Sequence, residues 1–175
     1  MNTSPITTEQ YEQFEGYPGL RDELINGRIV MNPQPKPLHQ HVMLNILGIL
    51  QRFCEGTEYI VNGNSNIKFS TLHSMPSPDV FVVLKQEWEE AMESDNYLQN
   101  PPLLAVEVLS KANRPKHVHE KIAIYLEAGV KEVWVVNTKE RSLAKFPVHP
   151  NPLPEFLRKE VDLSSVFQGV KGMES

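Results

Sequence analysis

Apolar runs separated by turn signals follow one another along this chain and predict its secondary structure. The run over 103–109 predicts a buried strand, and the helical pattern after it begins at Pro115 and stops at Gly129. The apolar residues of 132–137 predict a second strand. Together these segments predict a β-α-β unit, around which the rest of the chain is organised.

The remaining segments add strands and helices on both sides of this unit. Asn26-Gly27 between apolar residues predicts a hairpin. A proline-rich loop over 31–37 precedes an apolar pattern at helical spacing that runs to about Cys54. The other predictions are strands at 59–61, 67–69, 80–84 and 143–148, an acidic surface helix and loop over 85–100, and a strand or short helix over 160–167. The expected fold class is α/β (α+β) in one domain, residues 1–175, with its core at about 20–167.

Glu107 is a carboxylate in the middle of the apolar run. Alternation places Ala105, Glu107 and Leu109 on one face of the predicted strand. A buried charge costs several kcal/mol or more unless it is paired, hydrogen-bonded or bound to a metal. Lys121, at the edge of the apolar stripe of the next helix, can reach Glu107. Taken alone, the pair favours an ordinary structural ion pair.

Asp79 adds a second carboxylate and a second interpretation. It lies between a Ser-Pro turn and the β-prone run that follows it, at the mouth of a buried strand. If this strand pairs with 103–109, Asp79, Glu107 and Lys121 converge. Two carboxylates are the usual protein ligands of Mg²⁺ or Mn²⁺, and a nearby lysine can orient or deprotonate a water or neutralise charge as a phosphodiester is cleaved.

Several short strings in this order resemble a known family. The strings are ELINGR at 23–28, SPDV at 77–80, AVEVLS at 105–110, EK at 120–121 with Tyr125, AGV at 128–130 and VWVV at 133–136. On these strings the chain is similar, from about residue 23 to residue 167, to the Uma-type putative restriction endonuclease family of the PD-(D/E)XK nuclease superfamily.

The resemblance implies a restriction-endonuclease-like mixed sheet flanked by helices and a divalent-metal site. Asp79 and Glu107 correspond to the two acidic residues of the superfamily motif, and the carbonyl of Val108 would be a further metal ligand. Leu109 stands where the superfamily usually has a lysine. The resemblance implies that the role of this lysine belongs to Lys121 on the next helix. Glu23 resembles a further acidic residue contributed from the N-terminal region. Without the resemblance, Glu23 would be an exposed acid at a strand end.

Three more residues are candidates for the site. His39 matches a position where the family often has histidine, but His39 and His41 face different ways on a helix and so do not favour zinc. Arg114 and His117 belong to a basic cluster that suits a phosphate, although such a cluster is also common at a solvated helix start. His117 stands where the family usually has aspartate.

Composition excludes several other classes of protein. The net charge of −5 argues against a protein that coats nucleic acid non-specifically. A single cysteine, Cys54, excludes an internal disulfide and a cysteine-rich zinc site. No apolar stretch is long enough to span a membrane and no signal-peptide pattern is present, so we expect a cytoplasmic protein without a membrane partner.

Two functional hypotheses follow. The first is an endonuclease that uses Mg²⁺ or Mn²⁺ to hydrolyse nucleic acid, DNA ahead of RNA, with Asp79, Glu107, Lys121 and Glu23 as catalytic residues. The second is an inactive module of the same fold that binds nucleic acid or a protein and keeps these residues as a buried ion network. A homodimer is expected if both strands of a duplex are cut.

Overall fold

A five-stranded mixed sheet and a separate hairpin form the framework of the structure, a computed structural model that describes residues 4–110, 115–148 and 153–172. The strands are β1 (Leu20–Ile25), β2 (Arg28–Pro33), β3 (Tyr59–Asn62), β4 (Val80–Leu84), β5 (Leu104–Leu109), β6 (Glu132–Asn137) and β7 (Ser142–Pro147). The α-helices are α1 (Thr8–Glu12), α2 (Pro37–Cys54), α3 (Lys85–Glu93), α4 (Pro115–Ala128) and α5 (Leu163–Val166). Short 3₁₀ turns occupy Ser70–Leu72 and Glu155–Leu157.

The strands of the sheet lie in the order β3-β4-β5-β6-β7. Only β5 and β6 are parallel, because α4 carries the chain back across the sheet between them. The other three pairs are antiparallel. The predicted β-α-β unit is therefore present and supplies the two central partners of the sheet.

The hairpin of β1 and β2 lies outside this sheet. Asn26 and Gly27 form its turn with φ of 49° and 70°, values that a two-residue hairpin turn requires. The hairpin is fixed to the rest of the protein by backbone hydrogen bonds from Gly27 to His73 and from Met75 to Leu24. These bonds hold β1 close to the segment that leads into β4.

Alternation along the strands sends successive side chains into two separate cores. Leu104 and Val106 of β5 pack with Trp134 and the apolar face of α2 on one side of the sheet. Ala105 packs with the buried face of α4 on the other side. Glu107 follows Ala105 at the period of two, so it projects from the α4 side, as the sequence predicts.

Some sequence predictions are wrong in detail. Residues 67–69 form isolated bridges to other segments instead of a strand, because Ile67 and Phe69 hydrogen-bond to the loop before β4. The stripe of α4 includes the buried Ile124 and Lys121, so Lys121 is not at its edge. The predicted loop over 31–37 is shorter, because β2 extends to Pro33 and Pro37 begins α2, in keeping with the preference of proline for the first helical turn.

Other predictions are confirmed. β7 covers most of the predicted last strand, and α5 shows that 160–167 contains a short helix rather than a strand. α3 has no buried residue, which agrees with a solvated acidic face. In the described part of the chain, no helix combines the length and apolar character needed to cross a membrane.

Candidate functional site

Glu107 is buried and hydrogen-bonded at the centre of a polar cluster. Its side chain lies in β5, and the residue is only 7% exposed. The Tyr125 hydroxyl donates a hydrogen bond of 2.7 Å to its Oε1, and Lys121 Nζ lies 2.7 Å from the same oxygen. Both partners come from α4, four residues apart, so one face of the helix supplies them together. The predicted contact between Glu107 and Lys121 is confirmed.

Lys121 is shared between two carboxylates. Besides Glu107, its Nζ lies 2.8 Å from Glu23 Oε1 and donates to the carbonyl of Ser77 at 3.2 Å. An ammonium has three hydrogen-bond donors, and these three oxygens match that number. Lys121 therefore connects the hairpin, the segment before β4 and β5 through one buried cation.

Glu23 is part of this cluster, and the interpretation of Glu23 as an exposed strand-end acid is wrong. The residue is buried in β1. Its Oε1 accepts a 2.6 Å hydrogen bond from the backbone N–H of Ser77, and its Oε2 accepts one from Asn32 at 2.8 Å. The tertiary position of the hairpin brings Glu23 to a segment 54 residues away in the chain.

Asp79 lies next to the start of β4 and is also buried. Its Oδ2 accepts a 2.7 Å hydrogen bond from the backbone N–H of Val108 and lies 3.2 Å from His39 Nε2. The pairing of β4 with β5 ends at Val80 and Val106, so Val108 has no β4 partner and Asp79 takes that place. In an extended strand the N–H and C=O of one residue point to the same side, which directs the Val108 carbonyl toward Asp79 as well.

The additional candidates have different outcomes. His39 contacts Asp79, whereas His41 points away and its Nε2 lies 2.6 Å from the carbonyl of Gln168. His117 lines the same cavity as the carboxylates. Arg114 lies outside the described residues, so its place in the site stays a prediction.

Gly63 is a positioning residue that the sequence did not reveal. A Cβ atom at this position would collide with the backbone carbonyl oxygen of Asp79, so glycine allows β3 and the segment before β4 to approach closely. The only available signal was a glycine in a turn-rich segment, which is also expected of any loop. The need for glycine here comes from a contact between the residue just after β3 and the residue just before β4.

We expect Gly63→Ala to lower the free energy of unfolding by about 1–3 kcal/mol, because rigid backbone must move to make room. Gly48→Ala is the matched control. Its Cβ would meet nothing closer than the end of Arg52 at 3.9 Å, and alanine in a helix stabilises by about 0.5–1 kcal/mol. Urea denaturation of both variants checks the prediction. Equal stability of the two variants would contradict it.

Three carboxylates lie near one ammonium in this cluster, and two of them, Glu107 and Glu23, contact it. Burial raises the pKa of Glu107, Lys121 lowers it, and the neighbouring Asp79 and Glu23 raise it, which together bring this pKa to about 7. Burial lowers the pKa of Lys121, but the carboxylates of Glu107, Glu23 and Asp79 outweigh burial and hold its pKa above the ordinary value. The site therefore carries excess negative charge that one more cation would relieve.

The excess negative charge predicts that the free energy of unfolding depends on pH when a chelator keeps metal out of the site. The folded pKa of Glu107 lies above its unfolded value of 4.5, so its contribution is complete below about pH 4.5 and is lost as the pH rises through about 7. We expect the free energy of unfolding to fall by about 3 kcal/mol across this range. Urea titrations from pH 5 to 9 with EDTA measure the loss, and Glu107→Gln should flatten it. The same slope in wild type and Glu107→Gln would count against this assignment.

The polar cluster forms the floor of a cavity of about 560 Å³. The hairpin, the start of α2, the start of α4 and the turn between β6 and β7 surround it. Five of the lining side chains are permanently cationic and three are carboxylates, although the whole chain has a net charge of −5. The cavity therefore concentrates positive charge around an acidic floor.

The chemistry of the floor suits a hard divalent cation. Among the described residues, every hydrogen bond and ion pair to Glu107 ends on Oε1 and every one to Asp79 ends on Oδ2, which leaves one oxygen of each carboxylate for another partner. His39 Nδ1 and Ser77 Oγ are buried there and have no hydrogen-bond partner within the described part of the chain. Buried polar atoms of this kind are usually satisfied by an ordered water or an ion, so the floor can accept one.

The same floor does not suit a metal held entirely by protein. Within residues 4–110, 115–148 and 153–172, no group of three or more His, Cys, Asp or Glu side chains could hold a metal ion. Mg²⁺ needs no such group, because one or two carboxylates usually hold it and water and substrate phosphate complete its shell. The donor set therefore fits Mg²⁺ or Mn²⁺ and not a closed zinc site.

Comparisons with known proteins give the fold and the family of this chain. The mixed sheet with flanking helices shares its fold with a solved protein, described as a putative nuclease of the DUF820 group from Anabaena variabilis, whose crystal structure superposes with a TM-score of 0.75. The alignment has 17% identity and covers 93% of this chain and 98% of that one. The model of the Uma2 family, described as putative restriction endonuclease, matches residues 8–170, so the chain belongs to that family. No curated protein matches the chain.

Proposed function

We propose that this protein is a divalent-metal-dependent endonuclease that hydrolyses phosphodiester bonds of nucleic acid, with DNA ahead of RNA. The observation that carries the proposal is the convergence of Asp79, Glu107 and Lys121, from three different elements, on the floor of one cationic cavity. Membership of a family described as putative restriction endonuclease supports the same reaction class.

Asp79 and Glu107 are the proposed metal ligands, with the carbonyl of Val108 as a third. Hydrogen bonds from Val108 N–H to Asp79 and from Tyr125 to Glu107 orient the two carboxylates before any metal arrives. The bound Mg²⁺ or Mn²⁺ would supply Lewis-acid stabilisation of the phosphate and lower the pKa of a water. Binding it would also offset the excess negative charge of the floor.

Lys121 is proposed to act as a cation and not as a base. Its raised pKa keeps the ammonium protonated at neutral pH, so it has no lone pair with which to take a proton from water. It can donate a hydrogen bond that orients the attacking water and can balance the charge that develops on the phosphate. Glu23 and Glu107 both contact the ammonium of Lys121, and together they fix its position.

The alternative is an inactive module of the same fold that binds nucleic acid or a protein, because Lys121 already pairs with Glu107 and Glu23 as a structural ion network would. One experiment separates the two functions. Supercoiled plasmid, single-stranded DNA and RNA are incubated with purified protein in Mg²⁺, Mn²⁺ or EDTA, beside Asp79→Ala. Metal-dependent cleavage that Asp79→Ala abolishes supports the nuclease and names its substrate. Failure of the wild type to cut any substrate, or cutting in EDTA, would reject it.

A dimer stays a prediction. Cutting both strands of a duplex at one position needs two sites, and a closed pair of identical subunits supplies them. Analytical ultracentrifugation of the free protein and of its duplex complex measures whether one or two copies bind.

A further inference from the structure

Four cations line the cavity above its acidic floor. None of them forms an ion pair with a carboxylate within the described residues, although the chain contains 22 acidic residues to pair with. Cations left unpaired around a cavity in an acidic protein are available to an anionic ligand. They are Arg21, Lys36, Lys139 and Arg141.

The first two lie on one side of the carboxylates. Arg21 is two residues before Glu23 on β1, and its Nη2 lies 3.3 Å from Asn64 Oδ1, just after β3 ends. Lys36 immediately precedes α2, three residues before His39, which contacts Asp79. This pair therefore marks the side of the cavity nearest β3 and β4.

The other two lie beyond the carboxylates in the order of strands. Lys139 and Arg141 belong to the turn between β6 and β7. Arg141 donates from Nη2 to the carbonyl of Lys171, which anchors one end of its guanidinium and leaves its other N–H groups available. Lys139 is exposed, and its side chain carries no anchor in the described structure.

The sheet fixes the order in which these groups are met. Along this edge of the sheet the end of β3 is followed by Asp79 at the start of β4. Glu107 in β5 comes next, and then the turn after β6. Three inter-strand spacings separate β3 from β6, about 14 Å. The backbone of a polynucleotide presents phosphates along its whole length, so different phosphates of one strand can meet the two pairs of cations.

We propose that a nucleic-acid strand crosses the sheet edge from the Arg21–Lys36 side to the Lys139–Arg141 side, with phosphates held on both sides of the bond above Asp79 and Glu107. This inference rests on the proposed function and adds to it four residues that bind the phosphates of the strand, Arg21, Lys36, Lys139 and Arg141. The acidic floor repels phosphate and the two flanking pairs of cations attract it, so the flanking cations hold the strand even without metal.

The test is the salt dependence of binding. Wild-type protein in EDTA is titrated into a fluorescein-labelled 12-nucleotide single strand, and anisotropy is measured from 50 to 200 mM NaCl. Each phosphate contact contributes about 0.7 to the slope of log K against log salt for single strands. We expect Arg21→Gln/Lys36→Gln and Lys139→Gln/Arg141→Gln each to reduce this slope by about 1.4.

Lys85→Gln/Arg158→Gln is the matched control, because it removes one lysine and one arginine that are exposed and do not line the cavity. It should leave the slope unchanged, and thermal melting verifies that all three double variants fold. The proposal would be overturned if the salt slope fell in only one of the two flanking double variants or in neither. It would also be overturned if the slope fell equally in the control variant. Absence of metal-dependent cleavage by the wild type would instead reject the nuclease, so the two failures are distinguishable.

Discussion

Lys121→Met is expected to lower the free energy of unfolding by about 3–5 kcal/mol at neutral pH in EDTA. Methionine keeps the length and apolar stem of lysine but removes the cation that Glu107 and Glu23 share at 2.7 and 2.8 Å. Two buried carboxylates then lose their counter-charge. Removing one partner of a buried ion pair costs more stability than removing both, because the remaining charge is left uncompensated. Urea denaturation measures the loss, and cleavage should fall with it by at least about 10²-fold.

Lys68→Met is the matched control for this variant. Lys68 also contacts two carboxylates, Glu9 at 3.1 Å and Glu12 at 2.7 Å, but Glu9 is 66% exposed. Surface pairs of this kind contribute about 0–1 kcal/mol. Adding Glu23→Gln to Lys121→Met should recover part of the lost stability, because one of the unpaired charges is removed. If Lys121→Met costs no more than Lys68→Met, the buried network does not carry the stability assigned to it.

Asp79→Asn is expected to reduce cleavage by about 10³-fold while changing stability little. The substitution keeps the shape of the side chain and an oxygen that can accept from Val108 N–H. It removes one of two carboxylates that would hold the metal, which is worth several kcal/mol of transition-state stabilisation. The increase in melting temperature that Mg²⁺ or Mn²⁺ gives the wild type should disappear as well, because a ligand stabilises only the state that binds it.

Asp95→Asn is the control, since Asp95 is exposed at the end of α3 and does not line the cavity. It should keep wild-type cleavage and the full metal-induced shift in melting temperature. Retention of both properties by Asp79→Asn would show that Asp79 is not a metal ligand. A large loss of stability in Asp79→Asn would instead assign its carboxylate to the fold through His39 and Val108.

Much of the fold follows from local patterns. Period-two alternation in β5 and the stop at Gly129 after α4 are properties of neighbouring residues, and the structure contains both as predicted. Residues 67–69 had the same β propensity but did not become a strand. Propensity cannot choose between a ladder and isolated bridges, because available partners decide the outcome.

The candidate site was only partly accessible from the sequence. Glu107 stood out because a carboxylate interrupts an apolar run, and its contact with Lys121 followed from the spacing of one strand and the next helix. Glu23 had no such local signal. Its burial depends on a contact with Ser77 across 54 residues, and Gly63 owes its role to another long-range contact.

The sequence by itself determined the β-α-β unit, the hairpin turn and the face of β5 from which Glu107 projects. These depend on backbone preferences and side-chain periodicity over a few residues. Only the tertiary structure decided that Glu23 shares Lys121, that His39 meets Asp79 and that four unpaired cations surround the floor. Those contacts join elements that are far apart in the chain, and their geometry depends on how the elements pack together. The pattern of neighbouring residues does not encode this packing.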